Sequence, residues 1–249
     1  MATTSDSRTQ RVSTNGHGTE FDQWRASTRV FLQPIAAPSV LGLFGFAAAT
    51  FMVSTNLAGW YGNSTSGVFL FPFAATFGGI AQFAAGLWAY RARDAVATAM
   101  HGMWGAFWMA YGILWLLTAV GDVHPPAGKF VELAFWFWPL AAITLSGAVA
   151  SVGENLGITS VLATLATGSA FLGIGYMIGS HGWLQAGGWV LFASSVLAFY
   201  TASAMMIKSA WGRVVLPLGE LKKEANIPGQ QYTQPIEYHF GEPGVKQGQ

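Results

Sequence analysis

Leu133-Ala-Phe-Trp-Phe-Trp-Pro-Leu-Ala-Ala-Ile-Thr-Leu145 runs thirteen residues without a charge and without any alternation of apolar and polar side chains. A lipid-facing β-strand must alternate over segments of about ten residues, because one face meets acyl chains and the other a lumen. This stretch does not, so it reads as part of a helix. It belongs to a longer apolar run, Phe130–Val152, and five more runs of that kind flank it: Ser39–Leu57, Val68–Tyr90, Ala95–Val120, Leu156–Ile178 and Leu184–Ile207. A hydrocarbon core about 30 Å thick takes roughly 20 helical residues to cross, and each run meets or nearly meets that length. The expected fold class is an all-α membrane protein with six transmembrane helices.

Composition agrees with lipid as the solvent. Only 9 % of the residues are charged and 52 % are apolar, with a mean hydropathy of +0.40, where a soluble domain carries about a quarter charged residues. The 31 glycines suit membrane helices, whose backbones must approach closely because lipid supplies no hydrophobic drive for association. With no cysteine, disulfides, thiolate metal sites and cysteine nucleophiles are excluded.

Charge sets the orientation. With a cytoplasmic N-terminus, Arg8, Arg11, Arg25, Arg29, Arg91, Arg93, Lys208, Arg213, Lys222, Lys223 and Lys246 all lie inside, eleven of the twelve basic residues, and only Lys129 lies outside. That bias independently requires an even number of spans, with both termini cytoplasmic. Residues 1–20 read as a disordered tail. In residues 21–33, Phe21, Trp24, Phe31 and Leu32 recur at helical spacing opposite Arg25 and Arg29, the pattern of an interfacial amphipathic helix stopped by Pro34 and Pro38. The six-span domain covers 34–219, and residues 220–249 read as a mobile cytoplasmic tail.

Within the runs, ionisable residues are nearly absent, which limits the chemistry available. Glu132 sits near a span end, and Arg91, Arg93, Asp94, Asp122 and Glu154 fall in loops; only His101 lies well inside a run. No lysine is mid-span, and no pair of histidines is placed to ligate haem, so neither a retinal Schiff base nor a bis-histidine haem is expected. No metal-binding, paired-carboxylate or serine-triad pattern appears, so the chain reads as a non-enzyme with no cofactor, no metal and no nucleic-acid partner. The glycine-rich Gly173-Ile-Gly-Tyr-Met-Ile-Gly179 lies inside an apolar run and reads as a helix-packing face rather than a phosphate loop. The polar residues that remain are mild: Thr50 on the first run, Gln82 on the second, and Ser160, Thr164 and Thr167 on one face of the fifth. Such hydroxyls either line a path or bond the carbonyls of their own helix. His101 is either a packed neutral imidazole or a proton relay.

Four motifs, in order, resemble the acetate uptake transporter family of succinate–acetate permeases. Ala37-Pro-Ser-Val-Leu-Gly-Leu-Phe-Gly-Phe46 resembles the NPAPLGL signature, Thr76-Phe-Gly-Gly-Ile-Ala-Gln-Phe-Ala-Ala-Gly86 the YGGIAQ motif, Phe107-Trp108 a Phe-Trp pair on the third span, and Gly212-Arg-Val-Val-Leu-Pro-Leu-Gly219 the GRTVLPIG ending. The resemblance implies a hexamer of six-helix protomers, with the six transmembrane helices around a central pore in each protomer that moves acetate and sometimes succinate. It implies an apolar constriction of a Phe, a Tyr and a Leu, which fall here on Phe46, Trp104 and Leu165, and a size-setting small residue at Ala198. Gln82, Thr50, Thr164 and His101 join Ala198 as candidates along the substrate path. The sequence departs from the family pattern at Ala37, Val40, Phe77 and Ala89, where the family has Asn, Pro, Tyr and Glu.

The expected function is therefore transmembrane transport of small monocarboxylates, acetate first and succinate possible, in the cell membrane. The alternative from another class is a membrane sensor or scaffold with a vestigial pore and a partner-binding tail around Tyr232–Phe240. The constriction residues are the eighth of the first run and the tenth of the third and fifth, about 10 to 15 Å along their helices at 1.5 Å per residue, so they are expected at one depth near mid-membrane.

Overall fold

The computed structural model describes residues 35–63, 65–121 and 123–221. The expected tail at 1–20, the expected interfacial helix at 21–33 and the tail from 222 onward lie outside them. Among the described residues six helices are long and apolar enough to cross a membrane: α1 (Pro38–Leu57), α2 (Ser66–Arg91), α3 (Ala95–Val120), α4 (Val131–Ser151), α5 (Leu156–Ile178) and α6 (His181–Trp211). Among the described residues no strand is present. The sixth helix is longer than its apolar run at both ends, because His181–Trp183 and Lys208–Trp211 continue the backbone ladder beyond the hydrophobic limit.

Local chemistry sets the ends. Pro38 occupies the first turn of α1, where a missing N–H costs nothing. Asp94 accepts from the Ala97 N–H at 2.8 Å to cap α3, and Asn155 does the same for α5 through the Ile158 N–H at 2.9 Å. At its far end α3 closes on Gly121 with φ 85°, a left-handed turn that a side chain would strain. The motif after α6 folds back as a strap: the Leu218 and Gly219 carbonyls accept the Gly157 and Leu156 N–H groups, which supplies partners to donors that a helix start otherwise leaves bare. The strap is pinned further by Tyr200 donating to the Pro217 carbonyl and by the Lys208–Glu220 ion pair.

The second span is not one regular helix. Pro72 lacks an N–H and interrupts the ladder, and Ala74–Ala81 runs as a π-helix before α-geometry resumes at Gln82. The Thr76 hydroxyl donates to the Pro72 carbonyl at 2.7 Å, one turn back on the same span.

In the ring formed by the helices, α1 lies against α6, α6 against α5, α5 against α4, α4 more loosely against α3, and α2 closes the circle by packing on both α3 and α1. No Cα of α5 comes within 8 Å of α1 or α3. The axis between those three helices is therefore occupied by side chains rather than backbone. Close approach around the ring rests on glycine: a Cβ at Gly45 would collide with the Phe77 carbonyl oxygen, and one at Gly105 would stand 2.6 Å from the Phe83 N.

Gly45→Ala is accordingly expected to destabilise the detergent-solubilised protein by about 1 to 3 kcal/mol, the usual cost of overpacking. Gly102→Ala, where an added Cβ meets nothing within 4 Å, is expected to be neutral or slightly stabilising through the helix preference of alanine. Thermal unfolding of the two variants side by side checks both.

Candidate transport pathway

On each odd-numbered helix the side chains that line free space come in the same order. Ser39 and Leu43 on α1, Met100 and His101 on α3, and Ile158, Val161 and Leu162 on α5 surround an inner cavity at the end of the ring where the strap lies. One or two turns further, Thr50 on α1, Trp104 and Phe107 on α3, and Leu165 and Leu172 on α5 surround a central cavity, with Phe137 of α4 and Leu191 of α6 completing its wall. Phe46, Trp104 and Leu165 are exposed by only 2 %, 3 % and 2 %; Trp104 and Leu165 line the central cavity, and Phe46 lies on α1 between Leu43 of the inner cavity and Thr50 of the central one. Each inner chamber has about 30 Å³ of free volume, room for little more than one or two waters. A wider outer mouth of about 200 Å³, lined by Trp115, Pro125, Pro126 and Phe130 among others, shares Tyr111 and Tyr176 with the central cavity.

Ring packing ties α1 to α3. Phe46 and Trp104 meet edge to face with centroids 6.3 Å apart, a geometry favoured by the ring quadrupoles. The Trp104 indole N–H donates to the Thr144 hydroxyl of α4 at 2.9 Å, and that hydroxyl donates in turn to the Leu140 carbonyl at 2.6 Å. Trp104 thus does both things open to it, bracing sideways against a neighbouring helix while lining the central cavity. The latch crosses the loosest seam of the ring, where tyrosine would offer a hydroxyl at a different reach. Beyond it an aromatic column continues outward: Trp104 to Phe107 at 5.2 Å, Phe107 to Phe137 at 5.5 Å, and Phe137 stacked on Tyr176 at 5.8 Å and 12°.

Three buried polar atoms of residues lining the inner and central cavities stand without a partner. Thr50 Oγ1 and Trp108 Nε1 belong to residues of the central cavity, and His101 Nδ1 to one of the inner cavity; none of these atoms has a hydrogen-bond partner. A buried polar group without a partner costs free energy, so such groups mark where something else binds. Thr50 and Trp108 each supply a donor, the combination a carboxylate accepts from. His101 lies against Gly42, where a Cβ would press on its ring at 2.5 Å.

The other candidates lie elsewhere. Gln82 is 3 % exposed and sits where α2 meets Gly45 of α1; its Oε1 has no partner. Ala198 is fully buried on α6 and lines none of the three spaces. Thr164 is half-buried, and its hydroxyl bonds the Ser160 and Val161 carbonyls of its own helix; Thr167 likewise bonds Ala163 and faces outward. The departure at Phe77 is 51 % exposed on the outer surface, away from the cavities. Ala89 is fully buried, and its carbonyl accepts the Asp94 N–H. Sequence reasoning missed Trp108 and the aromatic column, since aromatic residues on apolar runs carry no mark of facing an axis rather than lipid. It also left Asp94 and Glu154 as loop charges, whereas both line the inner cavity. Among the described residues no cluster of three metal-ligating side chains exists.

A polytopic membrane protein built as a ring of six helices is the class that this arrangement defines. Residues 23–223 match the GPR1/FUN34/yaaH family, and the chain belongs to it. It is 27 % identical over 191 residues to the succinate-acetate/proton symporter SatP of Escherichia coli K12, covering 75 % of this chain and 96 % of that one. It is 27 % identical over 174 residues to the ammonia transport outward protein 2 of Saccharomyces cerevisiae, covering 68 % of this chain and 61 % of that one. Its fold is that of the solved bacterial acetate channel SatP, with a TM-score of 0.68, 24 % identity, and coverage of 74 % of this chain and 99 % of that chain.

Removing the Trp104 partner tests the latch. Thr144→Val leaves the buried indole N–H without an acceptor and is expected to cost about 1 to 3 kcal/mol, while Thr144→Ser keeps the hydroxyl and most of the stability. Denaturation midpoints of the purified proteins are the measurement.

Proposed function

We propose that this chain carries small monocarboxylates, acetate foremost, across the cytoplasmic membrane through the axis of its own helix ring. The observation that carries the reading is the pair of cavities that follow one another along α1, α3 and α5, in a member of a family whose E. coli relative is a succinate-acetate/proton symporter; on this reading Phe46, Trp104 and Leu165 form the apolar layer between them. Thr50 and Trp108 offer two donors to a carboxylate, while Leu165, Leu172, Leu191 and Phe137 take its methyl group. An apolar layer of this kind opposes a hydrated anion by dewetting and favours a small one that sheds water readily. The narrowness of the central cavity sets acetate ahead of a four-carbon diacid.

The distribution of basic residues supports cytoplasmic termini, since eleven of the twelve then lie on that side, and on that reading the strap end of the ring is the cytoplasmic mouth. Assembly as a homo-hexamer follows the family resemblance, with outward apolar side chains such as Phe69, Phe73 and Ile80 of α2 available to neighbours or lipid. The sensor or scaffold reading rests on Tyr232–Phe240, outside the described residues, and no observation favours it.

Labelled acetate uptake into proteoliposomes tests the function, with protein-free vesicles as the baseline. Leu165→Ala and Trp104→Ala are expected to raise acetate flux or admit succinate, and Leu165→Phe to lower it; unaltered transport in all three well-assembled variants contradicts the gate. Thr50→Val removes a donor to a charged group, about 1.5 kcal/mol or more, and is expected to lower uptake about tenfold.

Reporter fusions at Gln249 and within Gly121–Lys129 are expected to report opposite sides of the membrane. The same side for both refutes the six-span topology.

A further inference from the structure

The inner cavity holds a chemistry that transport through an apolar layer does not need. Two carboxyl residues, Asp94 at the start of α3 and Glu154 just before α5, line it together with Ser39 and His101. The first turns of α1, α3 and α5 all open on this end, so the backbone there draws negative charge inward. Asp94 is 9 % exposed and bonded to the start of its own helix. Above the carboxyls, towards the Phe46 layer, His101 is 5 % exposed and its Nδ1 has no partner. Any anion entering from this side must pass two acids before it reaches the imidazole.

We propose that Asp94 and Glu154 form a proton-operated gate at the inner mouth: with both ionised the mouth repels a carboxylate, and with a proton held by the pair it admits the anion and hydrogen-bonds to it. The proposal rests on the transport reading above. The proton comes from the aqueous phase, sits on a Glu154 carboxyl oxygen as the O–H that donates to the entering carboxylate, and returns to water or leaves with the substrate as its acid. His101 is the next polar group on the route, able through one ring nitrogen to donate to the same carboxylate or accept from its acid form.

Titration of the pair fits that role. Burial, and then the charge of Asp94 beside it, push the Glu154 carboxyl up to about 7, and burial raises Asp94 above its ordinary range. The groups on the surrounding elements are Asp94 and His101 of α3, Arg91 and Arg93 at the α2–α3 turn, and Glu220 of the strap, which is held by Lys208 of α6. The first turn of α1 contributes Ser39, and the last turn of α4 contributes no charge.

The experiment is acetate uptake by the full chain in proteoliposomes, with equal pH on both sides and a constant acetate anion concentration, from pH 6 to pH 8. With a midpoint at about 7, the protonated fraction and hence the rate fall about tenfold between those limits. Glu154→Gln is expected to transport at pH 8 as the parent does at pH 6, with no pH dependence. Asp94→Ser keeps a capping hydroxyl for α3 while removing the neighbouring charge, and is expected to move the midpoint to lower pH. A flat profile in the parent, or the parental profile retained in both variants, overturns the gate while leaving the transport reading intact. No uptake above protein-free vesicles by the parent at any pH overturns the transport reading and the gate with it.

Discussion

Close backbone approach between helices is the constraint on which the rest of this structure depends. Lipid gives apolar helices no reason to leave it for one another, so cohesion comes from van der Waals contact and from the few polar groups that find partners. Glycine supplies the contact at Gly45 against the Phe77 carbonyl, Gly105 against Phe83 and Gly188 against the end of α1. With α1, α2 and α3 drawn together on one side and α4, α5 and α6 on the other, the two groups meet tightly only where α1 lies on α6. The opposite seam, between α3 and α4, is bridged by side chains, with the Trp104 to Thr144 hydrogen bond at its centre.

That asymmetry makes the axis. Because α5 stays clear of α1 and α3, the interior is filled by the residues those helices point inward, and their sizes decide where space is left. Space is left around Leu43, Met100 and His101 at one level and around Thr50, Trp104 and Leu165 at the next. Thr50, Trp108 and His101 keep unpartnered polar atoms, whereas hydroxyls such as Thr164, Thr167 and Ser169 are spent on their own helices. The line between a hydroxyl that holds a helix together and one left for a ligand is drawn by whether a free carbonyl lies within its reach.

The family motifs acquire physical reasons. FGGIAQ covers most of the π-helical stretch where α2 is squeezed between α1 and α3, and small residues are what that approach permits. The Leu-Pro-Leu-Gly ending is the strap that supplies acceptors to the start of α5. The departure at Phe77 faces outward, so the loss of a tyrosine hydroxyl there does not touch the cavities. Trp104, by contrast, lies on the axis, and its N–H is engaged by α4 rather than presented to the path.

Six helices, their limits within a few residues and the lack of charge inside them were legible in the chain, because hydrocarbon tolerates only long apolar runs with internally bonded backbone and so writes itself into the sequence. The motifs also named Phe46, Trp104 and Leu165 as candidates, and all three are buried. What the runs could not carry was rotation about each helix axis: an apolar helix has no polar face, so Trp108, Phe137 and Tyr176 on the axis look like Phe69 or Trp88 on the outside. Nor could they carry neighbours. Asp94 and Glu154 are sixty residues apart and each reads as a loop charge; only the ring, by turning the starts of α3 and α5 towards one space, brings them to the wall of one cavity, where the Asp94 charge adds to burial in raising the Glu154 carboxyl.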